Sequence, residues 1–426
     1  MVSQNILNRN KKIAENGKAT RLKRSNQVCK TFKLKIPSNR INNKMKEHLK
    51  MVFVESKWIY NYLLSISEEI NIFDIVSNYK NLDTVTHLDQ NKEMVESKVT
   101  HVLSSVRQEL MHQIANQIKG LSKLKKKGHN VGQLKFKSDF NSVKYKQYGV
   151  THYIIGNKIK IQGLKDPIPV LGLDQIKRHK NVDITTMNLI KEVDEYYVCL
   201  TCYFDKEKKE KTYNNDILGI DLGICDNLTF SNGKKISCYV EESERVKNLQ
   251  RQIERSKKGS NNRYKLRKKL AKAYAKDANR RNDFANKIVH SIVTNNRLVI
   301  IQDDNLNSMK DDNANTEKAD VIQHSILGRV KSRLKQHDNV IWLDRWCPTT
   351  QYCTKCGHKT KHGPSQRIYK CKYCGCTEDR DIHAANNMIH FFTEYCKLKG
   401  IDTSQELAGV LTAIKWNDLK SSLCVA

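Results

Sequence analysis

The first half of the chain alternates between strand-like and helix-like spacing of its apolar residues. Apolar side chains and lysines alternate at 31–36, which predicts a strand that Pro37 ends. From residue 41 the spacing becomes helical, in two stripes made of Met45, Leu49, Val52, Ile59 and Leu63 and of Val95, Val99, Val102, Val106 and Leu110. The sequence therefore predicts a helical block over 41–128, preceded by a basic, mobile arm over residues 1–28.

Short strands return after this block. Residues 133–137 and 153–161 alternate, and Gly156-Asn157 is typical of a hairpin turn. A second hairpin is predicted to join 190–193 to 196–204. We interpret the strands on both sides of the helical block as one β-barrel that the block interrupts.

From residue 213 the pattern changes to that of another domain. An apolar run at 217–223 contains Asp221 and predicts a buried strand, and Asn232-Gly233 predicts a type I′ turn between the next two strands. Three successive antiparallel strands with an aspartate on the first are how an RNase H-like domain begins. The further predicted elements are helices at 241–272, 277–295 and 321–336, strands at 297–301 and 340–343, a helix after Asp381 and a helix near 407–416.

The charge of the chain indicates a polyanionic partner. Lys and Arg outnumber Asp and Glu by 76 to 45, a net charge of +31. Because self-repulsion destabilises a compact state of this charge, nucleic acid is the first partner to consider and an anionic membrane the second. No apolar run is long enough to cross a bilayer, and the cysteines fit a reducing cytoplasm better than a secreted disulfide framework.

Four cysteines near the C-terminus predict a zinc ribbon. Cys353, Cys356, Cys371 and Cys374 form two CxxC pairs, and each pair can present two thiolates to one tetrahedral ion. Four thiolates leave no open coordination position, so the zinc is expected to be structural. His358 and Cys376 lie nearby and are interpreted as bystanders rather than ligands.

Three aspartates are candidates for a divalent-metal site. Asp221 lies in the first buried strand, Asp304 follows the second with Asp303 as its rival, and Asp381 opens a helix and is favoured over Asp379. Paired Mg²⁺ or Mn²⁺ ions, held by such carboxylates, are the chemistry of phosphodiester hydrolysis. The alternative for each aspartate is a structural role, and Asp381 by itself also fits a helix N-cap.

Two basic segments are candidates for phosphate contact. Residues 251–272 hold ten Lys or Arg and one Glu, and a lysine-rich run ends the first helical block. A solvated helical face is the alternative interpretation of both. The candidate residues are Lys257, Lys258, Asn262, Arg263, Arg267, Lys125 and Lys126.

Several motifs between 213 and 396 together resemble the TnpB proteins of transposons and the related miniature type V-F CRISPR effectors. The similarity before 213 is architectural only. The motifs are Gly219-Ile-Asp221-Leu-Gly223, Ser260-Asn-Asn-Arg263, Arg280-Arg-Asn-Asp-Phe284, Ile301-Gln-Asp-Asp-Asn305, Gln323-His-Ser-Ile-Leu-Gly328, Pro348-Thr-Thr-Gln351 and Asp379-Arg-Asp-Ile-His-Ala-Ala385.

The resemblance implies an α+β multidomain fold. It consists of a wedge β-barrel split by a helical recognition insert, then an RNase H-like (RuvC) nuclease domain with a zinc-ribbon insertion that binds target nucleic acid. The implied order is a basic arm at 1–28, barrel segments at 29–40 and 129–212 around the recognition domain at 41–128, the nuclease domain at 213–347 and 380–396, the zinc ribbon at 348–379 and a tail at 397–426.

The resemblance also implies a function. A guide RNA would direct the protein to double-stranded DNA beside a short flanking motif, and the unwound, displaced single strand would be cut at a site with Mg²⁺ or Mn²⁺. We expect a prokaryotic cytoplasmic protein, associated with the nucleoid when bound to DNA, as a monomer or as a homodimer on one RNA.

One position departs from the family. Its middle acidic ligand is Glu, whereas this chain has Asp304, which is one methylene shorter. The two outer aspartates remain, so a nuclease is favoured over a nuclease-impaired, RNA-guided repressor. A guide-free zinc-ribbon DNA-binding protein or a conventional resolvase is a third hypothesis.

Overall fold

The computed structural model describes residues 4–75, 81–89, 91–206, 213–223, 227–306, 324–363, 366–403, 407 and 409–423. The chain divides into two compact units, Met1–Lys209 and Glu210–Ala426. Within the described ranges no helix combines the length and the apolar character needed to cross a membrane.

The first unit begins with a helix where the sequence predicted a mobile arm. Arg24, near its end, lies 3.7 Å above the ring of Tyr203 and 2.9 Å from Asp183, and these contacts fix a segment that has no apolar stripe. In chain order the elements up to residue 126 are α1 Gln4–Ser25, β1 Gln27–Ile36, α2 Asn43–Ser65, β2 Thr84–Leu88, β3 Met94–Lys98 and α3 Ser104–Lys126. Helices α2 and α3 pack into one apolar core.

The second predicted helical stripe is wrong in its first half. Val95 lies in β3, and Val99 and Val102 are buried in the connection before α3 begins. The carboxylate of Glu55 holds this connection, because it accepts backbone N–H bonds from His101 (2.7 Å) and Val102 (2.9 Å). Valines favour extended backbone, so their spacing marked burial rather than a helix.

Two sheets complete the first unit, with strand orders β1-β9-β8-β4 and β5-β6-β7. Both predicted hairpins are confirmed, as β5–β6 and β8–β9. The predicted strand at 133–137 is wrong: this segment pairs with no strand and is held by the Asn61 side chain, which bonds both backbone groups of Lys137. Closure of the two sheets into a barrel stays a prediction. The bounds are β4 Ser142–Tyr145, β5 His152–Ile155, β6 Lys158–Ile161, β7 Ile168–Pro169, α4 Asp174–Lys177, β8 Asp183–Glu192 and β9 Glu195–Asp205.

The second unit is built on a six-stranded sheet of order β12-β11-β10-β13-β14-β17. β10, β11 and β12 are antiparallel, and β13, β14 and β17 continue parallel to β10. This agrees with the RNase H-like beginning that the sequence predicted. The elements are β10 Asn215–Leu222, β11 Leu228–Phe230, β12 Lys235–Ile236, α5 Glu244–Arg255, α6 Asn261–Asn295, β13 Asn296–Gln302, α7 Leu327–Leu334, β14 Val340–Leu343, β15 Ile368–Lys370, β16 Thr377–Asp379, α8 Arg380–Lys399, β17 Ala413–Ile414 and α9 Trp416–Leu423.

Two of the predicted helix boundaries in this unit are wrong. The break falls at Gly259, whose φ is +80°, and Ser260 caps the long helix α6 by accepting a bond from the Arg263 N–H. No break occurs at 273–276, because Ala-Tyr-Ala-Lys contains no helix breaker. The predicted helix at 407–416 is also wrong, since β17 adds the last strand to the sheet there and α9 begins only at Trp416.

Helices cover both faces of the six-stranded sheet. On one face Leu218 and Ile220 of β10 join the core of α6 and α7, and on the other Leu298 and Ile300 of β13 join the core of α8. Gly219 lies on the α8 face, where a Cβ would lie 2.0 Å from the carbonyl oxygen of Ala385. The helix therefore approaches the strand so closely that only glycine fits.

Replacing Gly219 by alanine is expected to lower the unfolding free energy by more than about 3 kcal/mol, because a backbone oxygen cannot move aside. Gly223→Ala is the matched control and should be nearly neutral, since no residue that the structure describes lies within 4 Å of its added methyl group. Thermal unfolding followed by circular dichroism measures both. A wild-type melting temperature for Gly219→Ala would contradict the close approach of α8.

Candidate metal centres

Strand alternation places Asp221 on the α8 face of the sheet. Leu218, Ile220 and Leu222 pack against the opposite face, so Asp221 shares the face of Gly219. Its exposed fraction is 9%. Because β10 and β13 are parallel and Ile220 pairs with Ile301, the carboxyl ends of both strands meet beside Asp221.

Asp303 and Asp304 follow the end of β13 and differ in their partners. Asp303 forms ion pairs with Lys331 (2.6 Å) and Lys335 (3.0 Å), which flank the C-terminal end of α7. These pairs hold the pKa of Asp303 below its usual range, although burial opposes them. Asp304, one residue on, is half-buried and interacts electrostatically with Asp221. The structure therefore brings Asp304, and not its rival, towards Asp221.

Asp381 lies in the first turn of α8 and is 5% exposed. Its predicted alternative role as helix cap belongs to Asp379, whose carboxylate accepts N–H bonds from Asp381 (3.0 Å) and Ile382 (3.1 Å). The Asp381 carboxylate instead pairs with Arg380 (3.2 Å) and Arg367 (3.4 Å). Neither arginine was assigned a role from the sequence, although Arg380 lies within the motif at 379–385.

The three carboxylates form a partly uncompensated acidic group. Burial, and then the charges of Asp381 and Asp304, raise the pKa of Asp221 to about 8. Burial also raises the pKa of Asp304 to about 6, although Lys331 opposes it. A cation would relieve this cost, so the donor set fits hard divalent ions such as Mg²⁺.

The carboxylates are not gathered as tightly as ligands of a single ion. Within the part of the chain that the structure describes, only four cysteines have three or more ligand atoms all within 4.8 Å of one another. A site for two ions about 3.5–4 Å apart spans a wider group of ligands than a site for one ion. The described carboxylates therefore do not form one compact cage.

Without divalent ions the protein is expected to lose stability as pH rises from about 4 to about 8. Between the ordinary pKa of an unfolded aspartate, about 3.9, and the folded value near 8, the folded state holds the extra proton at Asp221. Each pH unit in this range therefore costs up to about 1.4 kcal/mol from this group.

Asp221→Asn removes this titration. Its unfolding free energy, measured by urea titration in buffers without added divalent ions, should therefore decline less with pH than that of the wild type. Parallel pH dependences of the two proteins would show that Asp221 is not protonated in the folded state.

The four predicted zinc ligands converge. The Sγ atoms of Cys353 and Cys374 are 3.6 Å apart, and those of Cys356 and Cys371 are 3.5 Å apart. Tetrahedral coordination with Zn–S bonds of about 2.3 Å requires a separation of roughly 3.8 Å. The donor set and its geometry therefore fit a structural zinc ion.

Two equivalent knuckles present these thiolates. Gly357 and Gly375, both with positive φ, donate N–H bonds to the carbonyls of Cys353 (2.8 Å) and Cys371 (3.1 Å). The N–H groups of the same two cysteines bond to the carbonyls of His358 (2.9 Å) and Cys376 (2.8 Å). His358 and Cys376 thus support the knuckles through their backbone, and neither side chain belongs to the four-sulfur cluster.

The zinc ribbon leads directly into the acidic group. Its hairpin β15–β16 pairs Ile368 with Asp379, and α8 with Asp381 starts at the next residue. The buried Tyr369 ring stacks on His383 of α8 at 3.7 Å. Folding of the ribbon and placement of Asp381 are therefore coupled.

Most of the candidate phosphate-binding residues lie on the surface. Arg263 differs from the others, because its guanidinium donates to backbone oxygens of Ile253 and Ser256 and so caps the C-terminal end of α5. The exposed ones are Lys257, Lys258, Asn262 and Arg267 in the second unit and Lys125 and Lys126 in the first.

Comparisons with known proteins match two segments of the chain to family models. Residues 200–313 match the family model described as "Probable transposase" (OrfB_IS605), and residues 328–388 match the model described as "Cas12f1-like, TNB domain". The first segment contains Asp221 and Asp304, and the second contains the four cysteines and Asp381.

Two relatives carry related descriptions. A "Putative RNA-guided DNA endonuclease" from Streptomyces pristinaespiralis is 32% identical over 181 residues, 40% of this chain and 44% of the relative. The "Putative RNA-guided DNA endonuclease InsQ" of Escherichia coli (strain K12) is 24% identical over 197 residues, 41% and 48% of the two chains. The chain therefore spans less than half the length of these curated relatives.

A solved structure, that of the Cas12f1–sgRNA–target DNA complex, is similar at a TM-score of 0.46 and 14% identity, over 85% of this chain and 99% of that chain. The two family models match in chain order, and between them they cover the acidic residues and the cysteines. The two family models and the relatives therefore support a resemblance of residues 200–313 and 328–388 to TnpB proteins and miniature type V-F CRISPR effectors.

Proposed function

We propose that this protein is an RNA-guided DNA endonuclease of the RuvC type. The observation that carries the proposal is the acidic group of Asp221, Asp304 and Asp381, where the carboxyl ends of β10 and β13 meet the first turn of α8. The descriptions of the two relatives support the same reaction.

Each carboxylate has a proposed role. Bound Mg²⁺ or Mn²⁺ ions would supply an activated water and would stabilise the leaving oxygen of the phosphodiester. Asp221, at the centre of the group, would bridge two ions, and Asp304 and Asp381 would each complete the ligand set of one. Arg367 and Arg380 pair with the Asp381 carboxylate and would share it with a bound ion.

Base pairing with a guide RNA would select the DNA, and the protein would read only a short flanking motif while it unwinds the duplex. The net charge of +31 supports contact with nucleic acid backbones. The exposed lysines at 125, 126, 257 and 258, together with Asn262 and Arg267, are the proposed contacts. The wedge barrel, the helical recognition insert and the proposed prokaryotic cytoplasmic setting belong to the same hypothesis.

The test uses protein purified together with its RNA, with the guide replaced to match a synthetic DNA target in a library of flanking sequences. We expect cleavage in Mg²⁺ or Mn²⁺ that requires the matched target and disappears after RNase treatment. Guide-dependent binding without any cleavage product, even at high metal concentration, would instead assign the protein as a guided repressor. Binding unaffected by RNase would contradict RNA guidance.

A further inference from the structure

A buried polar network connects the two elements that carry Asp304 and Asp381. Gln302 ends β13, two residues before Asp304, and its amide nitrogen donates to the carbonyls of Asp344 (3.1 Å) and Cys347 (2.8 Å). Its amide oxygen accepts a bond from the hydroxyl of Thr349 (2.8 Å). Gln302 thus holds one side of segment 344–352, which runs from β14 towards the zinc ribbon.

Helix α8 holds the other side of this segment. The amide nitrogen of Asn387 donates to the carbonyls of Thr349 (2.6 Å) and Tyr352 (2.8 Å). His383 Nε2 also lies 2.8 Å from the carbonyl oxygen of Tyr352. Asn387 follows Asp381 by six residues, less than two turns of the same helix.

The network is buried throughout. Gln302, Thr349 and Asn387 are 5%, 3% and 0% exposed. Water therefore cannot replace a lost amide, and the removal of Gln302 or Asn387 deletes two of the hydrogen bonds that hold segment 344–352. The carbonyls of Asp344 and Cys347 keep only their backbone bonds when Gln302 is removed. Such a network fixes one arrangement of β13, segment 344–352 and α8.

We propose that Gln302 and Asn387 are positioning residues, which set the separation of Asp304 and Asp381 by binding opposite sides of segment 344–352. The inference rests on the proposed function, since it concerns the same acidic group. Catalytic constellations tolerate displacements of only about 0.5 Å, and Asp304 is too short to reach further. Neither residue touches the substrate or the ions in this proposal.

The test compares Asn387→Leu and Gln302→Met with Asn339→Leu. Asn339 is a matched control, because it is 5% exposed and its amide nitrogen also donates to two backbone carbonyls, those of Val293 and Asn296. These groups lie at the opposite end of the sheet, where β13 begins. Thr349→Val, which removes only the hydroxyl bond to Gln302, is the mildest variant and serves if the others fail to fold.

We expect a similar loss of melting temperature in Asn387→Leu and Asn339→Leu, but different activities. Asn387→Leu and Gln302→Met should lower the cleavage rate by about 10- to 100-fold and raise the Mg²⁺ concentration needed for half-maximal rate, as changes behind metal ligands do. Asn339→Leu should keep the wild-type cleavage rate and the wild-type Mg²⁺ concentration for half-maximal rate. The double variant should lose less than the product of the single losses, because both changes release the same segment.

Equal activity of Asn387→Leu and Asn339→Leu, or losses that follow melting temperature alone, would overturn the inference. Electron paramagnetic resonance of bound Mn²⁺, with Asp221→Ala as the baseline, separates it from the proposed function. If even the wild type does not cleave, the proposed function fails. Weaker Mn²⁺ binding in Asn387→Leu than in Asn339→Leu would then still support positioning, and equal binding would refute it.

Discussion

Asp221→Ala is expected to lower the rate of guided DNA cleavage by at least about 1,000-fold while leaving guide-dependent DNA binding unchanged. The lost carboxylate is the proposed ligand of both ions, and several kcal/mol of transition-state stabilisation depend on the ions. Folding should not suffer, because Asp221 is a buried acid whose raised pKa shows that its charge is costly there.

Asp216→Ala is the control for this variant. Asp216 begins the same strand, is exposed and pairs with Arg297 at the opposite end of the sheet. The Asp216→Ala variant should cleave at a rate within about twofold of the wild type, because exposed ion pairs contribute little to stability. If Asp221→Ala cuts as fast as Asp216→Ala, the acidic group is not the site of hydrolysis.

Cys371→Ser is expected to release zinc, unfold the ribbon and abolish cleavage. Structural zinc supplies about 10–16 kcal/mol of apparent binding free energy in small zinc domains, and this energy is folding energy. The loss should extend beyond the ribbon, because β16 continues into α8 at Asp381. Zinc content by mass spectrometry and thermal unfolding measure the two effects.

Cys376→Ser is the matched control for the zinc ligand. Cys376 lies two residues after Cys374 and supports the knuckle through its backbone, which serine retains. About one zinc ion per chain and full activity are expected. A loss of zinc from Cys376→Ser with retention in Cys371→Ser would contradict the assigned ligand set.

Some features of the fold and of the site could be predicted from residues that are neighbours in the sequence. The CxxC spacing encodes a knuckle by itself. The apolar run of β13 predicted the strand before Asp303 and Asp304 but did not choose between the two, because a strand's period of two applies only within the strand, which ends at Gln302. The same period places Asp221 beside Gly219, which faces α8. These features depend on residues that are neighbours along the chain.

Other features depended on distant partners and were not predicted. Helix α1 is held by contacts of Arg24 with Asp183 and Tyr203. Strand β17 forms by pairing with the edge of β14. The sequence suggested Asp381 as an alternative N-cap of α8, whereas the N-cap in the structure is Asp379. The pairing of Arg367 with Asp381 could not be recognised, because Arg367 lies across the zinc hairpin from it.

The position of divalent ions tests the central claim most directly. Anomalous diffraction from crystals of the protein with its RNA and a DNA target, soaked in Mn²⁺, should show two ions about 3.5–4 Å apart between Asp221, Asp304 and Asp381. Manganese bound elsewhere, with none in contact with Asp221, would contradict the account.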